Sequence, residues 1–150
     1  MRAFDRLIRE MDRIACELDE QVIMQIGSTD YEPQNCAYSR FISRSDMERL
    51  CADARVIVAH AGTGSILTAL EHSRPLVLVP RLKRFGEAFD YHQLEIARQL
   101  EAQGVAVVYE MDNLEVAIRS GGTPLPQLST GGSLVGRLKE YLGPTGPINP

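Results

Sequence analysis

Apolar and polar residues alternate with two different periods along the first 120 positions of the chain. Apolar residues at positions 4, 7, 8, 11, 14, 15 and 18 recur at helical spacing with charged residues between them, which predicts an amphipathic helix over residues 4–19. Shorter continuous apolar runs predict buried strands, and the stretches between them predict further helices. The predicted strands cover residues 22–26, 37–42, 56–59, 76–79 and 105–108, and the further helices cover residues 45–54, 90–103, 114–120 and a stretch that ends at His72.

Two of the predicted helices have recognisable end signals. Ser45 or Asp46 is expected to cap the helix over residues 45–54, and Gly104 is expected to end the helix over residues 90–103 in the left-handed conformation. Short apolar strands separated by amphipathic helices are typical of a parallel sheet covered on both faces. We therefore expect an α/β fold, a three-layer α/β/α domain with a Rossmann-like parallel sheet.

Glycine and proline are concentrated at the end of the chain. Seven of the 12 glycines and five of the 8 prolines fall within the last thirty positions. This predicts an ordered domain over residues 1–120, followed by a loose, Gly/Pro-rich tail over residues 121–150 with one short helix over residues 133–142.

Composition narrows the class of protein. A length of 150 residues fits one domain, and a formal net charge of -4 provides no basic field for general nucleic-acid binding. The longest apolar runs are much shorter than the roughly 18 residues of a membrane span, and the first residues lack the apolar core of a secretory signal. Three cysteines without Cys-x-x-Cys spacing fit reduced thiols. These features predict a cytoplasmic protein.

The sequence from His60 to Ser65, His-Ala-Gly-Thr-Gly-Ser, is the strongest candidate for chemistry because it follows a predicted strand and opens a predicted helix. Ligands of open parallel sheets bind beyond the carboxyl ends of the strands. Free amides of Gly64, Ser65 and Ile66 would favour a phosphate group there. The spacing matches neither the Gly-x-Gly-x-x-Gly nor the Walker motif, which argues against nicotinamide cofactors and kinase-type ATP binding. The alternative is a tight turn in which Thr63 or Ser65 only caps the helix.

Two later segments carry weaker signals. Arg81, Lys83 and Arg84 follow the strand over residues 76–79, where they suit a diphosphate or anionic lipid headgroups, or form a solvated charged loop. The sequence Asp90-Tyr-His-Gln93 reads as a capping box, in which Asp90 accepts from the third helical amide and Gln93 reaches back. His92 and Gln93 could also donate to sugar hydroxyls, and the two interpretations are compatible. Gly27 and Ser28, after the first strand, are weaker candidates.

Several site classes lack support in the sequence. The three histidines have no metal-ligand spacing and no accompanying carboxylate cluster, so we expect no metal. We expect no other cofactor either. A Gly-x-Ser-x-Gly nucleophile elbow is also lacking, which argues against a hydrolase of that kind.

Taken together, the segments over residues 41–47, 52–67, 75–80 and 90–93 resemble the C-terminal domain of family 28 glycosyltransferases. The resemblance covers about residues 4–118 and is greatest to small stand-alone members, the PssE-type exopolysaccharide transferase subunits of bacteria and the UDP-GlcNAc transferase subunit of eukaryotes. It implies the UDP-sugar donor half of a GT-B fold. Relatives start with an additional apolar strand, so the resemblance also implies that the family's first strand is missing from this sequence.

The resemblance also implies roles for individual residues. The base that activates the acceptor would lie on a membrane-anchored acceptor subunit, and the chain would lie at the inner face of the membrane through that partner. Relatives carry a ribose-binding glutamate where this chain has Thr68. The implied sites are Phe41, Ile42 and Thr68 for the nucleoside, His60, Gly62, Thr63, Gly64 and Ser65 for the diphosphate, Asp90, His92 and Gln93 for the sugar, and Gly27, Ser28 and Arg81 as additional candidates.

The predicted function is therefore the donor-binding subunit of an inverting UDP-sugar glycosyltransferase in exopolysaccharide or glycolipid biosynthesis. Two alternatives are a non-catalytic scaffold or regulatory module of a glycosyltransferase complex and a UDP-sugar 2-epimerase-like protein. An exposed sheet edge where the family's first strand would pair predicts association with another chain or with a second copy.

Overall fold

The computed structural model describes residues 2–124, which form five short strands and five helices. Two single 3₁₀ turns, Lys83–Phe85 and Met111–Asn113, lie between the regular elements. The strands are β1 (Ile23–Gln25), β2 (Ala37–Ser39), β3 (Ile57–His60), β4 (Leu76–Val79) and β5 (Ala106–Val107). The helices are α1 (Asp5–Glu17), α2 (Arg44–Asp53), α3 (Thr63–Glu71), α4 (His92–Ala102) and α5 (Leu114–Arg119).

All of the strand pairs are parallel, as predicted, but they form two sheets among the described residues rather than one. β1 pairs with β2, and β4 pairs with β3 on one side and β5 on the other. The expected α/β class is confirmed. Within residues 2–124, β1 and β3 each have a strand partner on one side only, and this divides the expected sheet.

The central strand β4 shows why helices cover both faces of the larger sheet. Successive residues of a strand point to opposite faces, and all four residues of β4 are fully buried. Val77 and Val79 join the core formed with α1 and α5, whereas Leu76 and Leu78 join the core formed with α3 and α4. The continuous apolar run Leu-Val-Leu-Val therefore fills two cores, one above and one below the sheet.

Helix ends agree with prediction at one site and differ at another. Gly104 has a φ of 95° after the end of α4, and its amide donates to the carbonyl of Glu101, as a glycine at that position does. The expected cap of α2 was wrong, because Ser43 rather than Ser45 or Asp46 precedes the helix. Ser43 has extended backbone angles, and its Oγ accepts from the amide of Asp46 at 3.1 Å.

The contacts of the described chain with the larger sheet continue beyond residue 120. Thr123 exchanges two backbone hydrogen bonds of 3.0 Å with Leu76, and its Oγ1 accepts from the amide of Ala106 at 2.6 Å. The predicted domain boundary at residue 120 stays a prediction. The helix predicted over residues 133–142 lies outside the described residues.

None of the helices within residues 2–124 is both long and apolar enough to cross a membrane.

Candidate functional site

The turn between β3 and α3 leaves the first amides of α3 without a side-chain cap. Gly62 is the residue before the helix, so the alternative with Thr63 or Ser65 as the cap is wrong, and no side chain of the described chain caps this end. The amide of Ile66 donates to the carbonyl of Gly62 at 3.1 Å, which corrects the expectation that it is free. Gly64 and Ser65 therefore hold the amides that the first turn leaves exposed to a ligand.

Open space surrounds Gly64 but not Gly62. A Cβ atom on Gly64 would meet nothing within 4 Å, whereas a Cβ on Gly62 would overlap Cε1 of His60. Gly62 is therefore needed because the imidazole ring folds over its backbone. At position 64, no neighbouring atom of the described chain requires a glycine. The lack of a side chain there leaves the surface above the start of the helix open.

The His60 side chain links the end of β3 to the first turn of α3. Its Nε2 lies 3.3 Å from Oγ of Ser65, and its Nδ1 is buried with no hydrogen-bond partner among the described residues. Burial lowers the pKa of His60, and the nearby positive charge of Arg81 lowers it further, while the neighbouring Gln93 side chain acts in the opposite direction. The ring is therefore neutral at neutral pH.

Gln93 joins this group from the first turn of α4. Its Oε1 accepts from the backbone amide of Arg81 at 3.1 Å, and its side chain also interacts with His60. The predicted capping box is therefore wrong, because Gln93 turns toward the end of β4 instead of back to Asp90. Asp90 does not accept from the third helical amide either: its Oδ1 accepts from the amide of His92, the first residue of α4, at 3.0 Å in a local turn.

The three cations after β4 do not converge on this turn. Arg81 donates from Nη1 to the carbonyls of Arg2 at 2.7 Å and Ala3 at 3.2 Å, so its guanidinium points to the N-terminal segment. Arg84 pairs with Glu110, and Nζ of Lys83 lies 4.7 Å from the ring centre of Tyr91. Arg81 contributes to the turn through its backbone and its charge.

The candidate nucleoside residues lie beyond shortened strands. β2 ends at Ser39 rather than at residue 42, so Phe41 and Ile42 belong to the connection to α2. The amide of Ile42 donates to Oε1 of Gln25 at 2.8 Å, and this bond ties the ends of β1 and β2 together. The Phe41 ring is 75% exposed and is open to stacking.

The remaining candidates take part in local backbone contacts. Thr68 donates from Oγ1 to the carbonyl of Gly64 at 2.9 Å, one helical turn earlier. Gly27 has a φ of 61°, a conformation that favours glycine, and its amide donates to the carbonyl of Arg40 at 2.9 Å. Ser28, which follows it, begins the loop to β2.

Comparison with known proteins identifies the fold family. A model of the glycosyltransferase family 28 C-terminal domain matches residues 1–128. The chain belongs to this family. The match covers the whole described part of the chain, including the turn around His60 and the first turn of α4.

Curated relatives of this family 28 domain have informative names. A "UDP-N-acetylglucosamine transferase subunit ALG13" of Eremothecium gossypii is 31% identical over 131 residues, which are 82% of this chain and 62% of that protein. The protein of the same name from Candida albicans is 31% identical over 97 residues, 65% of this chain and 30% of that protein. The chain therefore spans less than two thirds of the length of these relatives.

A third relative comes from a bacterium. The "UDP-N-acetylglucosamine--N-acetylmuramyl-(pentapeptide) pyrophosphoryl-undecaprenol N-acetylglucosamine transferase" of Wolbachia pipientis is 28% identical over 107 residues, 71% of this chain and 30% of that protein.

A buried ion pair that sequence reasoning missed supports the loop after β4. Arg6 in α1 donates to both carboxylate oxygens of Glu87 at 2.8 and 3.0 Å, and to the carbonyls of Tyr109 and Pro80. Glu87 is 6% exposed and accepts from the amide of Leu82 at 3.0 Å. These contacts hold the loop that starts at Arg81, whose amide is bound by Gln93.

Within residues 2–124, no three His, Cys, Asp or Glu side chains form a group suited to a metal ion.

Proposed function

We propose that this chain is the donor-binding subunit of an inverting UDP-sugar glycosyltransferase that transfers a hexosyl or N-acetylhexosaminyl group. The proposal depends on one observation: the uncapped first turn of α3, which contains Ser65, lies beside His60 and Gln93 at the carboxyl end of β3. The names of the relatives, which describe transferases of N-acetylglucosamine from its UDP form, support this sugar as the first candidate.

The diphosphate of the donor would lie above the first turn of α3. The amides of Gly64 and Ser65 would donate to its oxygens, with the positive end of the helix dipole behind them, and Gly62 and Thr63 would shape the turn. The buried, unpartnered Nδ1 of His60 offers a further polar atom at this site. We propose no metal and no cofactor.

Transfer would use this arrangement when the sugar–phosphate bond breaks. The acceptor oxygen attacks the anomeric carbon as the bond to the diphosphate opens, and the electron pair leaves with UDP. Oriented amides and the helix dipole stabilise the negative charge that builds up on the diphosphate. The acceptor proton goes to a general base, which we place on a partner subunit.

The other candidate residues surround this position in the proposal. Phe41 and Ile42 would contact uracil, and Thr68 the ribose, while Gly27, Ser28 and Arg81 line the approach. The sugar would contact the residues at the start of α4, which are Asp90, His92 and Gln93.

The partner would be a membrane-anchored acceptor-binding subunit in glycolipid or exopolysaccharide biosynthesis, with this chain at the inner face of the membrane. Two relatives are named as subunits, and the Wolbachia relative is named for an undecaprenol-linked acceptor. These names favour a lipid-linked acceptor.

Calorimetric titration of UDP and UDP-N-acetylglucosamine into the chain, alone and with the partner subunit, tests the proposal. We expect heat of binding for both nucleotides in at least one arm. If neither nucleotide gives heat of binding, with or without the partner subunit, the proposal is overturned and the non-catalytic scaffold remains as the alternative.

Replacing Gly64 by valine is expected to weaken UDP binding by about 100-fold, because the branched side chain blocks two charge-assisted hydrogen bonds to the diphosphate. The free energy of unfolding should change little, since a Cβ at this position meets no neighbouring atom within 4 Å. Titration calorimetry and urea unfolding measure the two quantities. Ala102→Val at the exposed end of α4 is the matched control, and UDP affinity equal in both variants would contradict the assignment.

Gln93→Ala is expected to lower affinity for UDP-N-acetylglucosamine more than affinity for UDP, by about tenfold, because the amide would donate to the sugar. The ratio of the two dissociation constants is the measured quantity. Gln99→Ala, on the exposed part of the same helix, is the control. An equal loss for both ligands would show that Gln93 only supports His60 and the Arg81 backbone.

A further inference from the structure

Three of the exposed large apolar side chains in the described chain lie within seven residues of one another. Phe85 is 47% exposed, Phe89 is 76% exposed and Tyr91 is 58% exposed, all in the connection between β4 and α4. Scattered exposed apolar residues are normal on a protein surface, but a cluster of aromatic rings marks an interaction site. We call the surface formed by Arg2, Lys83, Arg84 and these three rings the aromatic-basic patch.

A positively charged side chain lies over each ring of the patch. The guanidinium of Arg2 lies 4.0 Å from the ring centre of Phe89, and that of Arg84 lies 4.8 Å from the ring centre of Phe85. Lys83 lies over Tyr91 in the same way. The surface therefore presents apolar and positively charged groups side by side.

Positively charged side chains outnumber exposed acidic ones on this surface. The Glu87 carboxylate is buried and bound by Arg6, whereas Glu110 is exposed and its pair with Arg84 offsets the charge of that arginine. Between residues 81 and 91 the one exposed acid is Asp90, whose Oδ1 accepts from the amide of His92. The three cations of the patch thus face two exposed acids, Asp90 and Glu110, which leaves the patch weakly positive on a chain whose formal net charge is -4.

The backbone under the patch is held by the rest of the fold. Leu82 is buried, and its amide donates to Glu87, which is tied to α1 through Arg6. Nη1 of Arg2 donates to the carbonyl of Gly86 at 2.9 Å. These contacts already fix the backbone of the loop. A flat partner could therefore bind the rings without the entropy loss of ordering the loop.

We propose that the aromatic-basic patch binds the surface of an anionic phospholipid bilayer directly. Aromatic rings favour the level of the lipid headgroups, and lysine and arginine are attracted to the negative surface of a membrane leaflet. The charge of the patch complements that surface and opposes the charge of the chain as a whole. This contact is additional to any recruitment by a partner subunit.

The position of the patch gives the contact a consequence for the proposed function. The three rings of the patch lie in the connection from β4 to α4, and Gln93 follows them in the first turn of α4, so a bilayer on the patch would lie next to the proposed sugar position. The chain could then reach a lipid-linked acceptor while it stays bound to the membrane surface. Only this consequence, and not the binding itself, depends on the proposed function.

Vesicle flotation tests the proposal with the whole chain. We expect the chain to bind vesicles of phosphatidylcholine with about one third phosphatidylglycerol, and to be released as salt screens the charges. Vesicles of phosphatidylcholine alone should bind clearly less. Equal binding to both kinds of vesicle, or binding to neither, would overturn the proposal.

Variants locate the binding surface. Lys83→Glu is expected to weaken binding to the anionic vesicles by about fivefold or more, and Phe89→Ser by about tenfold. The controls are Arg49→Glu, an exposed cation on α2, and Val116→Ser, an exposed apolar residue on α5. Equal losses in patch and control variants would contradict the location, as would vesicle binding that appears only with the partner subunit.

Calorimetry with UDP on the same variants separates this proposal from the proposed function. Lys83→Glu and Phe89→Ser should lose vesicle binding and keep UDP binding. If the chain binds vesicles through the patch but binds no UDP, the membrane-binding proposal holds and the donor-site assignment fails. Thermal unfolding checks that each variant is folded.

Discussion

Replacing Glu87 by alanine is expected to lower the free energy of unfolding by about 3 kcal/mol, because one partner of a buried ion pair is removed and the other stays behind. The Arg6 guanidinium would lose its two bonds to the carboxylate, and the amide of Leu82 would lose its acceptor. The loss is larger than that of a surface pair because both side chains are largely shielded from water, with 16% of Arg6 and 6% of Glu87 exposed.

Urea unfolding of the wild type and the variant measures the change. Glu48→Ala, which breaks the exposed pair of Glu48 with Arg44 in α2, is the matched control and should leave the midpoint nearly unchanged. Equal effects of the two substitutions would show that the Arg6–Glu87 pair does not hold the loop after β4.

Replacing Asp12 by alanine is expected to cost about 2 to 3 kcal/mol of unfolding free energy, because it removes the buried, charged acceptor that three donors of one loop share. Asp12 is 2% exposed although it lies in the middle of α1. Its carboxylate accepts from the Tyr31 hydroxyl at 2.6 Å and from the amides of Gln34 and Asn35. The carboxylate therefore fixes the loop between β1 and β2.

The same carboxylate gives this stability a pH dependence. Burial of Asp12 favours its neutral form, but the hydrogen bonds from Tyr31, Gln34 and Asn35 together outweigh it and lower the pKa. Since the folded pKa lies below the unfolded value of about 3.9, the stabilisation is complete above that value and is lost as pH falls through the folded pKa.

The difference in unfolding free energy between wild type and Asp12→Asn measures this effect. It should be constant near neutral pH and should shrink below about pH 4. A difference that stays the same down to the lowest pH at which the chain is folded would contradict the assigned cause.

Local patterns predicted the elements of the fold because their physical causes are local. The spacing of apolar residues identified α1, and the continuous run Leu76–Val79 identified β4 as a strand buried on both faces. Strand ends were predicted less well. β2 ends three residues early: the neighbouring segment reaches Gly27, whose φ of 61° is not extended, and the amide of Ile42 donates to the Gln25 side chain rather than to a strand.

The contacts that hold the candidate site depend on distant parts of the chain, and for this reason the sequence does not reveal them. Arg6 and Glu87 are 81 positions apart, and in the sequence each is one charged residue among many. Gln93 satisfied a local capping pattern, yet its side chain binds the backbone of Arg81 and interacts with His60. Only the packing of α1 and α4 against the end of β4 brings these groups together.

A crystal structure of the chain with bound UDP is the most direct test of the donor-site assignment. We expect the diphosphate oxygens within hydrogen-bond distance of the amides of Gly64 and Ser65, with the His60 ring beside them and its fold over Gly62 retained. A diphosphate bound elsewhere on the chain, or a first turn of α3 closed by side chains, would contradict the account.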